Sequence, residues 1–132
     1  MPSEKPEPGT AADWLRHAKS DLALANVPLP QDVLYSELCF HAQQAVEKCL
    51  KAVLIHLDIE FRKTHDIDYL KTLLPAQIPL PPEAEQVADL TSYAVAFRYP
   101  GDYEDVTEEA YREAIGSARV VYEWAEKIIH AK

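Results

Sequence analysis

The sequence predicts an all-α fold, an up-and-down bundle of four to five helices, on three observations. Apolar residues recur at intervals of three and four through most of the chain, the signature of helices with one buried face. Prolines cluster between those stretches rather than within them. Glycine occurs only 3 times in 132 residues, too rarely for a β chain of many tight turns or for a Gly-rich phosphate loop. The length is that of one domain, with residues 10–132 as the helical unit and 1–9, rich in proline and charge, as a flexible tail.

The first helix begins at Thr10, a hydroxyl N-cap with Asp13 in the capping-box position. Leu15, Ala18, Leu22 and Ala25 form its stripe, Trp14 widens it, and Pro28 and Pro30 end it. The second helix is the clearest. Leu34, Leu38, Ala42, Ala45, Cys49, Val53 and Leu57 keep helical spacing over roughly 25 residues, or about 37 Å, which makes it the spine. Gln43, Glu47 and Lys51 lie on another face, with Glu47 and Lys51 in the favourable i,i+4 order. A connector, 58–64, leads to a short helix capped by Thr64 or Asp66 and carrying Ile67, Leu70, Leu73 and Leu74.

Four prolines within 75–82 make that stretch a stiff, extended link, and Pro82 suits the first turn of a fourth helix. Val87, Leu90, Ala94 and Phe97 give this helix its stripe, and Pro100-Gly101 stops it at Tyr99. The last helix starts near Asp105 or Thr107, with Glu108 and Glu109 at its positive end. Tyr111, Ala114, Ile115, Ala118, Val121, Tyr122, Ala125 and Ile128 form its stripe. Gly116 within it signals either tolerance or close helix packing.

Charge and cysteine usage narrow the function classes. With 13 Lys+Arg against 22 Asp+Glu, the net charge of −9 disfavours broad DNA binding, though a local basic patch can still hold a nucleotide or short RNA. Cys39 and Cys49 lie on one helix about 15 Å apart, beyond disulfide reach, and read as core thiols. No apolar run is long enough to span a membrane and the start is no signal peptide, so a soluble, cytoplasmic protein is expected.

Chemistry-bearing residues concentrate in 98–103. Arg98 can grip a phosphate bidentately while Tyr99 or Tyr103 stacks on a base. Equally, Arg98 can pair with Asp102 or another of the nearby acids and clamp the turn. His65, between Thr64 and Asp66, reads either as a general base or pH sensor, or as a residue that caps the helix and bonds a backbone carbonyl. His41 with Glu37 lacks a third ligand, so no metal site is expected. Asp66-Ile67-Asp68 reads as a helix N-terminus, not a phosphotransfer motif. Tyr93, Phe97, Tyr111 and Trp124 read as core or, alternatively, as an interface patch.

Three blocks resemble one family. The stretch 40–52, with paired Gln43-Gln44 and Glu47-Lys48 before Lys51, resembles the long-helix signature of HEPN domains. Thr64-His65-Asp66 with Leu73-Leu74 resembles the block that follows it, and Phe97-Arg98-Tyr99-Pro100 resembles the family's Arg-Tyr-Pro element. The resemblance covers roughly 11–130. It implies a helical bundle, a homodimer, and a prokaryotic role beside a minimal nucleotidyltransferase, either binding nucleotide or RNA or acting within a toxin–antitoxin pair.

Toxic members of that family are metal-independent ribonucleases with an arginine followed, after a short spacer, by a histidine. Here Arg98 matches, but Tyr103, Glu104 and Asp105 occupy the histidine positions. Metal-free RNA cleavage needs a proton acceptor as well as a charge stabiliser, and a carboxylate beside the phosphate is repelled. The sequence therefore predicts a non-catalytic protein without cofactor. Its nucleotide or RNA would be held by Arg98, Lys48, Lys51 and His65, with Tyr99, Asp102 and Tyr103 around them. The alternatives are a divergent ribonuclease toxin and a purely structural partner.

Overall fold

The computed structural model describes residues 5–82 and 105–130, and within them four helices and no strand. They are α1 (Ala11–Ala25), α2 (Tyr35–His56), α3 (Ile67–Thr72) and α4 (Glu108–Ile129). The expected helix around Val87–Phe97 lies outside the described residues, as do Arg98, Tyr99, Asp102 and Tyr103.

Local chemistry sets the helix ends. Thr10 accepts the Asp13 N–H at 3.2 Å, as expected of an N-cap. The returning bond differs from a capping box, because the Asp13 carboxylate takes the N–H of Gly9 at 3.1 Å, one residue earlier. That backbone N–H is the main reason the Asp13 carboxyl sits below its ordinary pKa. Asp66, not Thr64, caps α3 by accepting the Tyr69 N–H. Thr107 caps α4 through the Ala110 N–H. α2 is the exception: its N-cap, Leu34, makes no side-chain bond. Its other end is closed by Asp58 in the left-handed region (φ 60), with the Ile59 N–H on the Leu54 carbonyl.

α2 spans 22 residues, about 33 Å, and the other three helices pack on it. Its neighbours' directions follow from side-chain pairs. Asp21 of α1 meets His41 and Lys48 while Trp14 meets Lys51, so α1 runs antiparallel to α2. Tyr35 stacks on Tyr111 with ring centres 4.9 Å apart, and Cys49 lies near enough to Tyr122 to influence its ionisation; α4 therefore runs parallel to α2. The Tyr111 hydroxyl donates to the Ala25 carbonyl and ties α4 to the end of α1.

The core follows the expected stripes. Leu15, Ala18 and Ala25 of α1, Ala42, Val46, Cys49, Leu50 and Val53 of α2, and Ile115, Ala118, Val121 and Ala125 of α4 are buried together. Leu34, expected in the stripe, is instead 58% exposed at the helix cap. Both cysteines are free and buried, which holds their thiols protonated; Cys39 is pushed up to about 11. Tyr111 and Trp124 pack against the core, while Tyr93 and Phe97 lie outside the described residues.

Candidate functional site

One sector of α2 is polar and nevertheless enclosed. Gln43, Glu47 and Lys51 repeat every four residues and share a face, and all three are buried, at 6%, 3% and 5% exposure. Lys51 donates to Glu47 at 2.9 Å. Its ammonium also stands 5.1 Å from the centre of the Trp14 ring, whose negative face suits a cation. From the lead-in to α3, His65 brings Nδ1 to 3.0 Å from the same carboxylate. The Glu47 carboxylate thus receives a cation from its own helix and an imidazole from the next segment.

Beside this triad, Asp21 on α1 joins two further groups of α2. It accepts from Lys48, and His41 Nδ1 lies 3.2 Å from its other oxygen. An ionised carboxylate only accepts, so Nδ1 is the protonated nitrogen in both imidazoles and each Nε2 is left as the acceptor. Two lysines balance two carboxylates within the cluster. Among the described residues, no buried side-chain nitrogen or oxygen lacks a hydrogen-bond partner.

The residues singled out by sequence fall into three positions. Lys51 is sealed between Glu47 and Trp14. Lys48 is partly accessible, with 24% of its side chain exposed, on Asp21. His65 is open to solvent, with 83% of its side chain exposed. It makes no helix cap: Asp66 does that, and the imidazole turns to Glu47 because a buried carboxylate is the stronger acceptor. Arg98, Tyr99, Asp102 and Tyr103 belong to the segment outside the described residues. Asp21 and Trp14 are partners that sequence reasoning missed. A signal existed, since Asp21 falls on the apolar stripe between Ala18 and Ala25, where an acid implies a buried partner.

Chemically, the cluster cross-links α1, α2 and the α3 lead-in, and it leaves most of His65 and parts of His41 and Lys48 accessible. No group of three or more metal-ligating side chains occurs among the described residues. Nor is any described helix long and apolar enough to cross a membrane.

Comparison with known proteins adds a lineage to this geometry. A family model described as "HEPN domain" matches residues 11–128. Two solved structures are similar over most of their length. TT1696 from Thermus thermophilus is 29% identical, with 89% of this chain and 97% of that one covered and a TM-score of 0.71. ST0689, described as an archaeal HEPN homologue, is 28% identical, with 91% and 98% covered and a TM-score of 0.68. Comparison with curated proteins gives no significant match.

Proposed function

The chain belongs to the HEPN domain family, and on that premise we propose that it is a non-catalytic member that binds a nucleotide or RNA and works beside a nucleotidyltransferase partner, in a pair of the toxin–antitoxin type. The single observation that carries this reading is the element Arg98-Tyr99-Pro100 followed by Tyr103-Glu104-Asp105 where a cleaving enzyme needs histidine. A guanidinium alone binds and neutralises phosphate; it does not remove the 2′-hydroxyl proton.

The α2 cluster supports the same reading. His41 and His65, the imidazoles nearest the family's helix signature, are each committed to a carboxylate of this chain. Lys48 and the outer nitrogen of His65 offer further hydrogen-bonding groups at the accessible edge, and Lys51 acts by fixing Glu47, the acceptor that holds His65. In this reading, the protein is a homodimer in the cytoplasm.

The test is a labelled RNA oligonucleotide incubated with the protein at high concentration in EDTA. Retarded migration with intact RNA is expected. Degradation that disappears in Arg98→Ala would instead establish the divergent ribonuclease.

A further inference from the structure

Among the described residues, three large apolar side chains stand out into solvent: Leu24, Leu29 and Leu34, at 47%, 40% and 58% exposure. All three belong to one end of the bundle, where α1 hands over to α2. Beside them, a half-open groove of about 410 Å³ lies between the Asn26–Leu29 connector and the first turns of α4. Val27, Leu29 and Ile115 supply its apolar wall. Gly116 leaves its floor open, since a Cβ there would meet no atom within 4 Å.

Arg112 and Arg119 line the same groove, two helical turns or about 10 Å apart. Glu108 holds Arg112 through its Nε, at 2.9 Å, and its Nη2. Arg119 makes no hydrogen bond or ion pair among the described residues. Among the described lining residues, two arginines against one glutamate leave a single excess positive charge, on a chain whose net charge is −9.

We infer that this groove is a docking site for an acidic, leucine-type peptide segment of another protein. One excess charge matches a carboxylate and is too little for a polyanion. Leu29 is both exposed and part of the groove wall, and arginine and tyrosine beside apolar surface are the composition of protein interfaces. Because the rest of the chain is strongly acidic, it repels such a segment elsewhere and steers it to this spot. The inference does not depend on nucleotide binding.

The test is a selection of short random peptides displayed on phage against the immobilised full chain, followed by fluorescence anisotropy of the synthetic consensus. A consensus with Asp or Glu next to Leu or Phe is expected. Its affinity should fall about tenfold or more in Arg119→Glu and in Gly116→Leu. Arg62→Glu, whose position is not in the groove, should bind within about twofold of wild type. Both groove positions are exposed, and unchanged circular dichroism melts confirm folding. A selection without an acidic consensus, or a consensus indifferent to both groove variants, overturns the inference. So does displacement of the peptide by AMP, which would make the groove a nucleotide site.

Discussion

α2 and α4 are both 22 residues long, yet α2 has thirteen residues buried and α4 six. Each carries a Glu four residues before a base: Glu47 with Lys51, and Glu108 with Arg112. The first pair is about 5% exposed; in the second, both side chains are more than half exposed. The same sequence pattern is thus a solvated surface pair on a flanking helix and an enclosed polar joint on the central one. What differs is the number of neighbours. α4 keeps one face in water, whereas α1, the α3 lead-in and α4 close around α2.

The largest effect should come from breaking that joint. Glu47→Ala leaves the Lys51 ammonium buried without its carboxylate and should cost about 3–5 kcal/mol in urea unfolding. Glu108→Ala should cost less than about 0.5 kcal/mol. The double replacement Glu47→Gln with Lys51→Met should recover most of the loss, because a neutral pair needs no compensation. Equal costs for Glu47→Ala and Glu108→Ala would erase the contrast between the helices.

A smaller effect concerns alkali. Burial raises Cys39 from 9.0 to about 11 and raises Cys49 as well, while Tyr122 of α4 is pushed up to about 12, mainly by burial. An acid whose folded pKa is raised contributes fully below its unfolded pKa, and that stability is lost as pH rises through the folded value. For Cys39 the window is therefore 9.0 to about 11, with a loss of about 2–3 kcal/mol. The urea midpoint should fall across it, and Cys39→Ala should flatten the fall. An unchanged slope in that variant would place the alkaline sensitivity elsewhere than on α2.

Smaller still are the caps. Thr107→Ala should destabilise by about 1 kcal/mol, since α4 loses its N-cap. Leu34→Asp should stabilise by about 0.5–1 kcal/mol, because α2 has no side-chain cap and Leu34 is exposed. Thermal melts of both variants measure the difference, and a loss in Leu34→Asp would mean that the leucine already serves another contact.

These contrasts also explain what was legible in the sequence. The stripes Leu15–Ala18 and Ala114–Ala118–Val121–Ala125, and the caps Thr10 and Thr107, depend on residues within a few positions of one another. Local pattern therefore suffices to read them. The enclosure of Glu47 and Lys51 depends on Trp14 and His65, brought in from other segments, and no spacing within α2 announces it. The same holds for His65, whose choice between helix cap and Glu47 is decided by a helix 18 residues away. Of the candidate site, Lys48, Lys51 and His65 can be placed, whereas the Arg98 segment rests on its motif alone.

The most direct measurement is calorimetric titration of a mononucleotide into the wild-type protein and into Arg98→Ala. Saturable binding in the first, lost in the second, is the expected result. Equal binding by both, or none by either, would contradict a ligand-holding role for Arg98.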